Sequence, residues 1–407
     1  MARVEGVSRG WTIAAIALVA AILGGVVSLV AAEATGLTGE RTSTVYVPTG
    51  DISAGVSGNE PVSRAQPLVG NGFSPRQIYA ARSPGVVTVF AFYDDAESQE
   101  SQGSGFVVSE SGYVLTSAHV VTDVVGSGNA TEADRVYVAF KDGDRIDAEL
   151  VGWDGYDDVA LLRVDPQAHA LQPVPLGDSA RVLAGDPVAA MGSPFGNEDS
   201  IAVGVVSAIR RSIDSLVSVY RVVDAIQIDA PITHGNSGGP LFDARGRVIG
   251  INAQIRSESG NVEGVGFAIP INAAKRSMAQ LIATGQVVYA YLGVTTETLT
   301  PTLARHLGYD ASRGAIVAVV RDGSPADKAG LQGGDGRETF NGLEVTEGGD
   351  VIVAVGAQQV RSADDVVRQV SERLPGQTIA LTILRDGERK VVRIRLGTRP
   401  VAPETTP

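Results

Sequence analysis

The chain has 407 residues, a formal net charge of −13 and 44% hydrophobic residues, enough for two or three buried cores and without the basic excess of a nucleic-acid binder. It has no cysteine, which excludes disulfides, thiolate catalysis and cysteine-ligated metals. Its histidines, at 119, 169, 234 and 306, never fall at helical ligand spacing, so no metal site is expected.

A short tail, residues 1–10, carries Arg3 and Arg9. Trp11 to Ala32 is an uncharged, mostly apolar run. As a helix rising 1.5 Å per residue it would extend about 33 Å, enough to cross a bilayer core of ~30 Å. The arginines before it and Glu33 after it place the N-terminus in the cytoplasm and the remainder outside. Val30-Ala31-Ala32 would also suit a cleavage site, but the run exceeds the core of a typical signal peptide, so an uncleaved single-pass anchor is expected. Residues 33–72 are rich in Gly, Ser, Thr, Pro and Ala and read as a flexible tether.

Order is expected from Ser74-Pro75, an N-cap followed by proline at the first helical position, with a short helix to about Ala81. From Gly85 to Pro270 short β-branched runs recur, among them Val86–Phe90, Gly105–Val108, Val136–Phe140, Val159–Val164, Pro187–Met191, Ala202–Val206, Ala225–Ile228 and Arg247–Ile251. Gly and Asp punctuate them, as in a sandwich or barrels. A helix from about Ile271 to Ala283 closes this domain, residues 73–285. Residues 286–398 form a second, mixed domain, with strands near Ala315–Val320, Val351–Val355, Thr378–Arg385 and Val391–Leu396. A helix over Ser362–Arg373 has a capping box (Ser362, Asp365) and an apolar face of Val366, Val367, Val370 and Leu374. Gly334–Gly349 reads as an inserted charged loop, and residues 399–407 as a disordered tail.

Three motifs carry chemistry. Gly235-Asn236-Ser237-Gly238-Gly239-Pro240 offers a serine among glycines, which let backbone amides turn toward a developing oxyanion. Leu115–Val121 ends an apolar run in His119, and Asp157-Asp158 leads straight into the Val159 strand, where a buried acid needs a partner. The histidine and the acid each read alone as ordinary structure, as would an isolated Gly-Asn-Ser-Gly, but the six-residue form set between strands favours the chemical reading. Together they stand in the order His, Asp, Ser of chymotrypsin-type proteases. His119 would then act as general base and acid, Asp158 would orient it, and Ser237 would form the acyl-enzyme. The oxyanion hole would lie over Gly235, Asn236 and Ser237.

Gly103-Ser104-Gly105-Phe106-Val107, Thr116–Val121, Asp158–Leu162, Gly192–Gly196, Gly235–Leu241 and Gly266–Pro270 together resemble the HtrA (Deg) family of trypsin-like proteases, over roughly residues 73–398. Asp158 rather than Asp157 matches the family acid. The resemblance implies two six-stranded β-barrels, no cofactor, homotrimerisation, and degradation of damaged exported proteins or envelope stress signalling. It implies an apolar specificity cleft, for which Ile232, Ile251 and Ala253 are candidates, and a sensor loop over Arg210–Tyr220, with Arg211 the candidate contact. His234 departs from the family pattern, which has proline there. The second domain resembles the family's PDZ module: Tyr291, Leu292, Gly293 and Val294 match its carboxylate-binding loop, and Val366 and Val370 would line the groove for C-terminally exposed polypeptides. The competing reading is a catalytically inactive, chaperone-like peptide binder of the envelope.

Overall fold

The computed structural model describes residues 72–93, 100–125, 129–193, 200–215, 217, 220–232, 235–253 and 265–400. The expected anchor over 11–32, most of the tether, and His234 lie outside the described residues. Among the described residues no helix is long and apolar enough to cross a membrane.

The chain enters through α1 (Pro75–Arg82), capped by the Ser74 hydroxyl, which accepts from the Gln77 amide. Six strands then close a first barrel. They are β1 (Val86–Phe92), β2 (Glu100–Val107), β3 (Tyr113–Thr116) and, after the one-turn helix α2 (Ala118–Val121) and a small hairpin of β4 (Thr122–Val125) and β5 (Asn129–Glu132), β6 (Arg135–Ala139), β7 (Arg145–Asp154) and β8 (Val159–Val164). Their order around the barrel is β1-β2-β3-β8-β7-β6. A second closed barrel uses β9 (Pro187–Gly192), β10 (Ser200–Asp214), β11 (Arg221–Ile228), β12 (Pro240–Phe242), β13 (Val248–Ala253) and β14 (Gly266–Pro270), and leads into α3 (Ile271–Thr284).

Strand alternation explains how two barrels pack as one body. In β8, Ala160, Leu162 and Val164 fill the first barrel, while Val159 and Leu161 point into the layer between barrels. In β9, Val188 and Ala190 fill the second barrel, and Ala189 and Met191 face that shared layer. A strand buried on both faces reads as a continuous apolar run. The inter-barrel layer, which also contains Phe106, Leu115, Phe242, Ile251 and Ile269, fixes the relative position of any groups the two barrels contribute to a common site.

Helix α3 ends on left-handed Gly285, and the C-terminal domain follows. Its short strand β15 (Ala290–Tyr291) precedes β16 (Val294–Leu299), α4 (Pro301–Leu307), β17 (Gly314–Val320) and the single turn α5 (Pro325–Lys328). Next come β18 (Gly334–Phe340) and β19 (Leu343–Gly348), then β20 (Val351–Val355), β21 (Gln358–Gln359), α6 (Ala363–Ser371), β22 (Thr378–Arg385), β23 (Glu388–Arg395) and β24 (Gly397–Thr398). The main sheet runs β16-β17-β20-β22-β23, and β24 returns to pair with β15. Val366 and Val370 of α6 pack with Val317, Ile352, Leu381 and Ile383 of the sheet.

Three expectations change. Residues 334–349 are not an open loop but the β18–β19 hairpin, turning on Asn341-Gly342, both left-handed, as a tight two-residue hairpin demands. Glu297 accepts from Thr346 N (2.8 Å) and Oγ1 (2.7 Å), and the Phe340 ring stacks on His306. Helix α6 stops at Ser371, short of Arg373, so Leu374 lies beyond it and is exposed rather than part of its apolar face. Past Thr398 the chain is still packed, the Arg399 amide donating to Tyr289 O at 2.8 Å.

Candidate active site

His119 sits in the single turn of α2, at the end of the buried β3 run. Asp158 ends a turn between β7 and β8 in a left-handed conformation (φ 53°), unusual for a non-glycine residue, and is 4% exposed. Both its carboxylate oxygens are spent on His119. Oδ2 lies 2.7 Å from Nδ1, and Oδ1 accepts the His119 backbone amide at 2.9 Å. The carboxylate thus holds the imidazole with its proton on Nδ1 and Nε2 free to act as a base. Burial pulls the His119 pKa down, but the charge and hydrogen bond of Asp158 outweigh it, and the net shift is upward from 6.5.

Ser237 lies on the loop entering β12, in the second barrel. The loop docks onto the first barrel through Ser104 of β2. The Ser104 amide donates to Ser237 O at 2.8 Å, and its hydroxyl, fully buried, donates to Gly235 O and accepts from Ser193 N at 2.8 Å. The Gly238 amide donates to Asn252 O (2.9 Å), while Asn252 Nδ2 donates to Met191 O (2.9 Å) and Pro240 O (3.2 Å). Asn236 is buried and its Oδ1 accepts from the Ser200 hydroxyl at 3.1 Å. Gly235 has φ 100°, open only to glycine in practice, and among the described residues neither its amide nor that of Ser237 finds a carbonyl acceptor. The Ser237 hydroxyl is buried without a hydrogen-bond partner among the described residues, so it is not bonded to His119 in this structure. Free enzymes commonly show a loose serine–histidine contact that tightens with substrate.

The structure therefore brings the His119–Asp158 pair and the Ser237 loop to the seam between barrels. Gly238 abuts Ser104 O and Thr116 Oγ1 on the histidine side of that seam. Ile251 and Ala253 belong to the inter-barrel layer, whereas Ile232 packs under Gly266 with the second-barrel core. Ser104 and Asn252 carry no signal of their own in the three chemical motifs. The Gly103-Ser104-Gly105 pattern held the signal for Ser104, since flanking glycines mark a close backbone approach.

A concavity of about 240 Å³ lies on the C-terminal domain. Tyr291, Leu292, Gly293, Val294, Val366 and Val370 all line it. So do Ser212, Tyr220, Arg221 and Val223 of the first domain, which form one wall of the groove. Arg211, the expected contact, instead bonds Gln227 on its own hairpin through Nε (2.9 Å). Its neighbour Ser212 reaches across, donating to Asp364 Oδ2 of α6 at 2.7 Å, because alternation along β10 turns adjacent side chains to opposite faces.

Two closed barrels with a histidine–carboxylate pair and a glycine-framed serine at their seam define the trypsin-like class of serine protease. A trypsin-like peptidase domain model matches residues 103–251, and a PDZ domain model residues 290–396. A probable periplasmic serine endoprotease DegP-like of Brucella suis biovar 1 (strain 1330) is 39% identical over 304 residues, covering 75% of this chain and 54% of that protein. The similarly described protein of Halomonas elongata is 40% identical over 305 residues, covering 75% and 58%. The chain spans about half the length of these relatives. The solved HtrA-type protease AlgW with tripeptide superposes with a TM-score of 0.65 at 35% identity, covering 80% of this chain and 98% of that one. The serine endoprotease from Yersinia pestis gives 0.57 at 31% identity, covering 80% and 98%. The chain belongs to the HtrA family of trypsin-like proteases with one PDZ domain.

Proposed function

We propose that the chain is an ATP-independent serine endopeptidase that cleaves unfolded or damaged exported polypeptides, or a regulatory envelope substrate. The observation that carries this reading is the double engagement of Asp158 with His119 beside a serine loop in which the Gly235 and Ser237 amides find no carbonyl acceptor among the described residues. Nε2 of His119 takes the Ser237 hydroxyl proton as Oγ attacks the scissile carbonyl. The Gly235 and Ser237 amides receive the oxyanion, with Asn236 holding the loop between them. The imidazolium, stabilised by Asp158, returns the proton to the leaving amine, and water then releases the acyl group by the same route. The upward shift of His119 suits it to hold that proton in the transition state. Ile232, Ile251 and Ala253 remain the proposed apolar walls of the specificity cleft.

The PDZ groove binds C-terminal segments of polypeptides by strand addition, with the Tyr291–Val294 segment taking the carboxylate and Val366 and Val370 the last side chain. Its shared wall with Ser212 and Tyr220 supports a sensor role for that edge of the protease domain. Residues 11–32 anchor the chain in the membrane with both domains outside the cytoplasm, a location in keeping with the periplasmic relatives, and the working form is a homotrimer. The test is digestion of a denatured protein by the full chain against Ser237→Ala, with and without C-terminal peptides, and fluorophosphonate labelling. Cleavage and labelling that both vanish in Ser237→Ala support the reading. A wild-type chain that binds peptides but neither cleaves nor labels is an inactive binder and overturns it.

A further inference from the structure

The turn that presents the catalytic acid begins at Asp154, the last residue of β7, which is 1% exposed. Its Oδ1 accepts from the amides of Tyr156 (2.9 Å) and Asp157 (3.3 Å) and so caps the turn that ends in left-handed Asp158. Its Oδ2 accepts from the Ser277 hydroxyl of α3 and from the Tyr289 hydroxyl, both at 2.6 Å. The Tyr289 oxygen also lies 2.7 Å from Asp157 Oδ2. Tyr289 directly precedes β15, and with it the Tyr291–Val294 segment of the PDZ groove.

A proton count constrains this cluster. A phenol has one hydroxyl proton and can donate to one carboxylate. Its other carboxylate contact is favourable only if that carboxyl carries a proton and donates to the phenol oxygen. Two ionised carboxylates around one hydroxyl would leave two acceptors facing each other in a buried site.

We propose that Asp154 and Tyr289 are positioning residues for the catalytic acid, forming with Asp157 a proton-sharing clasp that ties the Asp158 turn to the root of the PDZ domain. This rests on Asp158 being the triad acid, which Asp158→Ala tests separately.

The surroundings favour the retained proton. Burial, and after it the neighbouring Asp154, push Asp157 up to about 6. Burial also raises Asp154, and it raises Tyr289, which stays protonated throughout. Arg276 of α3 and Arg399 oppose the shift of Asp157. Arg399 lies over the Tyr156, Tyr220 and Tyr289 rings (5.2, 5.3 and 5.5 Å). The adjoining cavity adds Arg221 and Asp224 from β11 and Arg368 and Glu372 from the α6 side. An acid whose folded pKa exceeds its unfolded value favours folding at low pH and loses that contribution as pH rises from about 4 to about 6.

The test uses the full chain with Tyr289→Phe and Asp157→Asn. Tyr289→Phe keeps the ring and deletes the shared hydroxyl. Its kcat is expected to fall about tenfold with KM within about twofold. The acid limb of its pH profile is expected to move to lower pH, because a misplaced Asp158 supports the imidazolium less. Asp157→Asn supplies an N–H donor that does not titrate. Its melting temperature relative to wild type is expected to be highest at neutral pH and to approach wild type near pH 4. A folded Tyr289→Phe with wild-type kcat and acid limb overturns the positioning role. An Asp157→Asn melting offset that is constant across pH overturns the shared proton. If Tyr289→Phe does not fold, Ser277→Ala, which removes the other hydroxyl on Asp154, carries the same kinetic readout: a lowered kcat and shifted acid limb support the positioning role, and wild-type values overturn it.

Discussion

Gly238→Ala isolates how closely the serine loop is pressed against the first barrel. A methyl group there would lie 2.2 Å from Ser104 O, 2.4 Å from Thr116 Oγ1 and 2.9 Å from Ser117 N, two of them rigid backbone atoms. It would also enter the 2.7 Å hydrogen bond from Thr116 Oγ1 to Ser104 O. Left-handed backbone (φ 84°) costs an alanine about 1–2 kcal/mol, overpacking about 1–3, and the lost hydrogen bond about 1. The expected loss is therefore about 3–6 kcal/mol. Gly143→Ala is the matched control, since it shares the left-handed backbone (φ 89°) but has nothing within 4 Å of the added carbon. It should lose only the conformational part, about 1–2 kcal/mol. Urea unfolding of both variants measures the difference, and the rate of fluorophosphonate labelling reports whether Ser237 has moved. Labelling should collapse in Gly238→Ala and persist in Gly143→Ala. Equal destabilisation of the two variants, or wild-type labelling in Gly238→Ala, would refute the close-approach argument.

Ser237→Ala should abolish cleavage without loss of stability, because the buried hydroxyl it removes has no partner among the described residues; a denaturation midpoint at or slightly above wild type checks this. Activity should fall as pH drops through a His119 pKa above 6.5, since the base must be neutral, and in Asp158→Asn the acid limb should shift down while kcat drops by about 10⁴; kcat/KM profiles across pH decide both. In the PDZ domain, Asp350 is fully buried and held by Arg385 through Nε and Nη2, both at 2.6 Å. Arg385→Leu leaves that carboxylate unpaired and should cost about 3–5 kcal/mol, read by calorimetry as a loss of PDZ-domain melting temperature.

What could be read from the chain alone follows from burial. Strand β8 is buried at every position except Arg163, and its apolar run announces both the strand and the acid before it. Strand β7 has one face in solvent and charged residues along it, so Arg145–Asp154 gives no comparable run. The β18–β19 hairpin escapes a pattern reading although Asn341-Gly342 is a strong hairpin turn, because its charged flanks mask the alternation. Helix α4 escapes it too, although Thr300, Pro301 and left-handed Gly308 bracket it with the same kind of signal that reveals α1. Ser212 rather than Arg211 meets Asp364 because strand parity, distorted by bulges between Val206 and Ile213, decides which side chain crosses. The bond from Tyr289 to Asp154 joins residues 135 apart and depends on where α3 delivers the chain, which no local pattern records.

The groups proposed to be catalytic are divided between barrels, so the strength of the seam and the competence of the site are one property. The first barrel supplies His119 and Asp158 and the second supplies Ser237. Ser104 joins them with three hydrogen bonds, to Ser237 O, Gly235 O and Ser193 N, all made within a fully buried residue of β2. Beneath it, Phe106 and Leu115 of one barrel meet Met191 and Phe242 of the other. Buried polar contacts fix register better than apolar contacts, which tolerate sliding, because a displaced hydroxyl or carbonyl forfeits its partner. The apolar layer therefore contributes most of the adhesion, and the Ser104 bonds select the docking that seats the serine loop against the first barrel. A seam loosened at Ser104 would separate the Ser237 loop from the His119–Asp158 pair.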